Sequence, residues 1–356
     1  MSIIGRLPNK LKDNRYLFKS LLRGRLPSLF KLYDSIKLSH IARNVTPVFG
    51  PSTINYRTSE AIVLCLVKDG ETWIKDFILH YKKKGFKHIV FLDNGSTDNT
   101  LKIAKKHKNV TILKTEIPFK ENNILLRRYL INRFSKNRWS LTVDIDELWD
   151  FPFSDKVNLN NLLKYFKTKS ANAVVAQMLD MYMPTIPTKK QPLKSYDLYD
   201  ISHIKKDALT MPFGFKDCGL RYRKMLNKNI KFFRGGIRAQ LFGLDYVWLT
   251  KIPLIFNNKP LKPIIHQHFS NDAKIADIST VLLHYKFTHG FKEQVKNAVR
   301  HEQYLNDSKE YKQYLTKQKN NPYLKLKQST AKRLKSVNQL VNEDFLVVSN
   351  DYLKIT

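Results

Sequence analysis

At 356 residues, with 42% hydrophobic and 12% aromatic side chains, the chain can bury a full core and fits one large domain with appendages. Its 63 Lys/Arg against 30 Asp/Glu give a formal charge of +33, which suits nucleic acid, an anionic bilayer or acidic substrates and selects none of them. Cys65 and Cys218 alone build no disulfide framework or cysteine metal site, no apolar run reaches the roughly 18 residues of a membrane span, and no signal-peptide pattern opens the chain. The expectation is a cytoplasmic protein, peripheral on the inner face of the membrane.

Residues 1–58 read as a basic extension. The first fifty hold ten Lys/Arg and two Asp, with Leu11, Phe18, Leu22, Leu29 and Leu32 interleaved at spacings of short amphipathic helices. Pro8 and Pro27 would break any long one. Such a segment docks on a membrane surface or a partner, or packs against the main domain.

From Ala61 the pattern alternates. Strands are predicted at 61–67, 87–92, 110–113 and 139–143, and helices at 72–84, from Ser96, Thr97 and Asp98 to about 107, and at 122–134. Strands separated by helices of this length predict a parallel sheet with right-handed crossovers. Ligands of such sheets bind beyond the carboxyl ends of the strands, where Asp69, Asp93, Asp144 and Asp146 fall. Further on, 159–167 reads as a helix and 173–178 as a strand, while 184–240 is rich in Pro, Gly, Tyr and Arg without a period. An apolar run at 280–287 carries His284, residues 291–314 read as one half-exposed helix, and 345–348 as an edge strand.

The chemistry concentrates in Asp144-Ile145-Asp146-Glu147. An apolar run ends in these acidic residues, so the carboxylates sit at the mouth of a buried strand. There they can hold a hard cation that phosphates also bind. Asp146 is the expected ligand of Mg2+ or Mn2+, Asp144 a contact to the ribose or a metal-bound water and a second metal candidate, and His284 completes the shell, contacts the diphosphate or is structural. The alternative is a solvated acidic turn. Asp93, on a Gly-containing turn into a helix, can accept from a base or ribose, or simply cap the turn. Lys68 and Asp69 close the first strand as nucleotide contacts, though helix capping explains much of that stretch, and Lys286 can neutralise phosphate charge. His266-x-His268 chelates only if the backbone bends. The basic stretches 221–224 and 234–238 can grip a diphosphate, an anionic acceptor or nucleic acid, or lie solvated. No dinucleotide-binding or P-loop glycine motif occurs.

Cys65-Leu66-Val67-Lys68-Asp69-Gly70-Glu71, Trp73-Ile74, His80-Tyr81, Asp93-Asn94-Gly95-Ser96-Thr97-Asp98 and Asp144-Ile145-Asp146-Glu147, in that order, resemble the glycosyltransferase family 2-like proteins, with related patterns in glycosyltransferase family 92. Met178-Leu179-Asp180-Met181-Tyr182 and Leu282-Leu283-His284-Tyr285-Lys286-Phe287 look like the same group. The resemblance spans roughly residues 60 to 300. It implies an α/β, GT-A nucleotide-diphospho-sugar transferase fold with a mostly parallel central sheet, a UDP- or GDP-sugar donor, a divalent metal at the Asp-x-Asp, and inversion with a carboxylate base. Lys68-Asp69-Gly70-Glu71 departs from the family's Lys/Arg-Asn-Glu. No Glu-Asp base motif is present, which leaves Asp217 and Asp245 as base candidates.

The expected organisation is a basic extension at 1–58, a transferase domain at 59–300 with its nucleotide half at 59–150 and acceptor half at 151–300, and a helical basic extension at 301–356. The expected activity is metal-dependent sugar transfer to a glycan or glycolipid of a cell-surface polysaccharide or lipopolysaccharide, with an anionic membrane as a further partner and no nucleic acid. A catalytically inactive scaffold, a basic nucleic-acid binder and a nucleotidyltransferase are the competing readings.

Overall fold

The strand at 61–67 shows how the sequence builds the fold. All seven residues are buried, and they divide by parity between two cores. Ala61, Val63, Cys65 and Val67 face one apolar cluster, and Ile62, Leu64 and Leu66 face another. A strand with apolar residues on both faces must be covered on both, which is the condition for a parallel sheet between helical layers. The computed structural model describes residues 27–209, 222–266, 268–301, 308–321 and 324–356.

The strands are β1 (Thr46–Phe49), β2 (Ala61–Val67), β3 (Ile89–Asp93), β4 (Val110–Lys114), β5 (Trp139–Asp144), β6 (Glu147–Asp150), β7 (Ala173–Asp180), β8 (Leu198–Tyr199), β9 (Ile204–Ala208), β10 (Tyr222–Met225), β11 (Lys231–Gly235), β12 (Thr250–Phe256), β13 (Lys262–His266), β14 (Phe269–Asn271), β15 (Ala273–His284) and β16 (Lys332–Arg333). One ten-stranded sheet runs β1-β4-β3-β2-β5-β12-β7-β15-β10, with β6 paired to β15. The run β4-β3-β2-β5 is parallel, as are the pairs β7/β15 and β15/β10. Between these two parallel blocks β12 runs antiparallel to both neighbours. The fold is α/β, with a mixed central sheet, a parallel core and flanking helices. The register of β12 against β7 shifts between Lys251 and Leu254, where Pro253 has no N–H to donate to a ladder.

Helices Ile74–Lys83 and Leu159–Thr168 cover one face. Phe119–Phe134 covers the other, with Pro27–Arg43 lying outside it. The helical span expected at 291–314 is broken: Phe291–His301 and Lys309–Asn320 are separate helices, with Ser308 in a left-handed conformation before the second. Residues 345–348 form no strand. Phe345 and Leu346 are instead buried in the main core, and Val347 exchanges hydrogen bonds of 2.8 Å with Ser279 of β15. Tyr352 is fully buried in that core too, so residues near the carboxyl end hold the sheet directly.

Tyr81 ties the helix Ile74–Lys83 to the β5–β6 turn. Its hydroxyl donates to the Glu147 carbonyl at 2.9 Å and accepts from the Trp149 N–H at 2.9 Å, both in fully buried surroundings. Tyr81→Phe would strand two buried backbone groups, and we expect a loss of about 2 kcal/mol in urea unfolding. A loss below a few tenths of that would show that the backbone re-pairs without the hydroxyl.

Candidate functional site

Sheet order brings the expected carboxylates to one edge. Parallel register sets Val67 beside Asp93 and Leu66 beside Asp144, so β3 and β5 present their last residues on either side of β2. On the other block, parallel β7 and β15 end in register at Asp180 and His284, and antiparallel β6 sets Glu147 opposite His284. Residues 145 and 146 form the turn between β5 and β6. A Cβ added to Gly70 would come within 2.8 Å of Val67 Cγ2 and 3.0 Å of Ile145 Cγ1, so this glycine lets the loop after β2 lie against the acidic turn.

The two carboxylates of that turn have different partners. Asp144 Oδ1 accepts from Arg127 Nη2 at 2.6 Å and Oδ2 from Lys251 Nζ at 3.1 Å. Lys251 Nζ also reaches Glu147 Oε1 at 2.5 Å, and Glu147 Oε2 accepts the Asp144 N–H at 3.1 Å. Burial opposes ionisation of Asp144, but Lys251 and Arg127 outweigh it and hold the carboxyl far below the usual range. For Glu147, 1% exposed, burial wins over Lys251 and raises the pKa. Burial also disfavours the Lys251 ammonium, yet Asp144 and Glu147 raise its pKa and keep it charged.

Asp146 faces the other way. Its Oδ2 lies 3.3 Å from His284 Nε2, while His284 Nδ1 donates to Asp180 Oδ1 at 2.5 Å. Arg238 Nε then donates to Asp180 Oδ2 at 2.9 Å. Burial works against a charged imidazole, but the two carboxylates outweigh it and raise the His284 pKa to about 9. Burial likewise resists charge on Asp180, and Arg238 with His284 brings its pKa down to about 2. Beyond Arg238, Glu310 lies 3.7 Å from both Arg238 Nη1 and Lys286 Nζ and accepts from Tyr314 at 2.6 Å. Lys286 is buried, with its ammonium 4.8 Å from the Tyr311 ring centroid.

Asp93 is fully buried and accepts from the Gly95 and Ser96 N–H groups, the turn-closing role that competed with ligand contact. Asp69 accepts from Thr97 N–H at 2.7 Å, and Glu71 takes the Asn99 N–H, so the loops after β2 and β3 are laced together. Lys68 is exposed on the first of these loops. Asp245 is exposed and lies 3.6 Å from Lys205. Asp217 and Cys218 lie outside the described residues. Cys65 is a buried free thiol. The expected ligand trio Asp144, Asp146 and His284 is not assembled: among the described residues no three His, Cys, Asp or Glu side chains form a cluster that could hold a metal ion. Each Asp144 oxygen is paired with a cation of the protein, Oδ1 with Arg127 and Oδ2 with Lys251. A cavity of about 10 Å3 beside Asp144, lined by Arg127, Thr142, Lys251 and His268, has room for one water.

Sequence reading missed Arg127, Lys251 and Glu310. A lysine directly before the apolar run Ile252–Phe256 was the available signal for Lys251, since an ammonium carried into a buried strand needs a partner. Arg127 and Glu310 sit in ordinary polar helices and gave none.

No family model and no curated protein matches the sequence. Among solved structures, the chain is similar to the mannosyltransferase PcManGT from Pyrobaculum calidifontis, determined in complex with GDP-Man and Mn2+. The identity is 18%, the TM-score is 0.27, and the match covers 47% of this chain and 45% of that one. The chain therefore spans less than half of that enzyme's length, and nothing about ligand or reaction follows from the likeness.

Lys251→Met leaves Glu147 and Asp144 without their shared cation. We expect a loss of about 3–5 kcal/mol in denaturant unfolding. Adding Glu147→Gln, which keeps an acceptor for the Asp144 N–H but removes the charge, should recover more than half of it. Equal losses in the single and double variants would contradict the electrostatic account.

Proposed function

We propose that this chain is a glycosyltransferase, moving a sugar from a UDP- or GDP-sugar to a glycan or glycolipid acceptor with inversion at the anomeric carbon. The observation that carries the reading is the acidic β5–β6 turn beside a parallel strand end, flanked by the buried cations Arg127, Lys251 and Lys286. A nucleoside diphosphate gains negative charge as it departs. Cations fixed beforehand stabilise that charge without reorganising.

Asp146 and His284 fit a divalent cation, Mn2+ or Mg2+. Such an ion takes one or two protein ligands and completes its shell with phosphate oxygens and water. Asp180 on Nδ1 sets the ring so that Nε2 faces the Asp146 carboxylate, the arrangement by which a second carboxylate orients a ligating histidine. Bound there, the ion would offset charge on the diphosphate. Asp144, its side chain 38% exposed, keeps a side for a ribose hydroxyl while it fixes Arg127 and Lys251. Lys68 and Asp69 are nucleotide contacts on the neighbouring loop, and Asp93 acts through the turn it closes. The acceptor hydroxyl gives its proton to a carboxylate, for which Asp217 and Asp245 are the candidates.

The test is thermal stabilisation by UDP- and GDP-sugars, with and without Mn2+. Binding at a hundredfold excess over Kd adds about 2.7 kcal/mol. The proposal expects a metal-dependent rise with one nucleotide class, lost in Asp146→Asn and His284→Gln, and release of a nucleoside diphosphate on turnover. Stabilisation that ignores metal and disappears in Lys251→Met would shift the leaving-group role to the protein's own cations. No stabilisation by any donor, in folded protein, would return the chain to the scaffold reading.

A further inference from the structure

The helix Pro27–Arg43 has an inner and an outer face of opposite character. Inward, Ile41 is 1% exposed and Leu38 packs on the same core as the helix Phe119–Phe134. Asp34, the only acidic residue of the helix, is turned in as well, with Oδ2 at 2.6 Å from Arg128 Nη1. Outward stand Leu32, Tyr33 and Ile36, which are 59%, 49% and 60% exposed. These are three of the eight large hydrophobic residues exposed among the described residues, gathered within little more than one turn. A turn further on, Lys37, His40 and Arg43 continue the same side, with His40 and Arg43 exposed and Lys37 Nζ 5.7 Å from the Tyr33 ring centroid.

We propose that this outer face docks on an anionic bilayer, with Leu32, Tyr33 and Ile36 entering the interfacial region and Lys37, His40 and Arg43 meeting the lipid phosphates. Two observations choose this occupant. An exposed aliphatic and tyrosine patch bordered by cations is the pattern of a helix lying in the membrane plane. The charge is complementary throughout: no carboxylate stands on the outer face, residues 1–26 leading into the helix add seven Lys/Arg against one Asp, and the whole chain carries +33. A protein partner would find no acidic residue on this face to pair with, whereas a negatively charged lipid surface needs none. The proposal stands apart from the reading of the transfer site and does not depend on it.

The experiment is co-sedimentation of the full chain with vesicles of phosphatidylcholine alone and of phosphatidylcholine mixed with phosphatidylglycerol, at physiological ionic strength. The expected result is a clear preference for the anionic vesicles, weakening as salt is raised. Leu32→Ser with Ile36→Ser should lower the apparent affinity by roughly tenfold or more, because both side chains lose their apolar contact with the acyl boundary. Lys37→Glu with Arg43→Glu should lower it similarly. Thermal melting should be unchanged in either pair, since none of the four is in the core. Two results would overturn the proposal. One is wild-type binding that is equal for neutral and anionic vesicles. The other is binding that survives both double variants, which would move the docking surface to another part of the chain.

Discussion

Charge compensation beneath the β5–β6 turn is the constraint on which the rest of this structure depends. Asp144, Asp146, Glu147 and Asp180 crowd the ends of β5, β6 and β7, and Arg127, Lys251, His284 and Arg238 answer them. Buried ions of one sign would be intolerable, and each carboxylate here has at least one cation within 3.3 Å. Every one of these cations comes from a different element: a helix on one face, the antiparallel strand β12, the end of β15, and the short helix Ile237–Phe242. The sheet must be complete before the charges balance, so the site reports on the whole fold.

The same constraint explains why adjacent carboxylates do different work. Asp144 closes β5 while Asp146 lies in the two-residue turn before β6, and their carboxylates meet different partners. Asp144 is committed to Arg127 and Lys251. Asp146 faces a histidine whose other nitrogen is held by Asp180, so the two carboxylates are answered by separate sets of cations. The chain from Asp146 through His284, Asp180 and Arg238 ends at Glu310, which ties the helix Lys309–Asn320 to the site electrostatically.

Much of this was legible in the sequence, and the parts that were not share a physical cause. The run 61–67 is uniformly apolar and bounded by turn residues, so its ends were readable directly, and the alternation with helices up to Asp144 followed. His284 was visible as a polar residue closing an apolar run. Lys251 was hidden because Pro253 breaks the β pattern around it, and because its partner Glu147 lies 104 residues away in sequence. Phe345 and Leu346 looked like half of an edge strand, since local pattern cannot separate a strand from an irregular segment pressed into a core. Asp93 carried arguments for both ligand contact and turn capping, and its complete burial together with the Gly95 and Ser96 N–H groups it accepts favours the turn.

Mn2+ binding in the presence of a nucleoside diphosphate, read by electron paramagnetic resonance, tests the division of labour between Asp144 and Asp146 most directly. Asp146→Asn should abolish the bound-manganese signal, while Asp144→Asn should retain it within a few-fold of wild type, because its carboxylate neutralises protein cations instead of ligating the ion. Loss of the signal in Asp144→Asn with retention in Asp146→Asn would contradict the account.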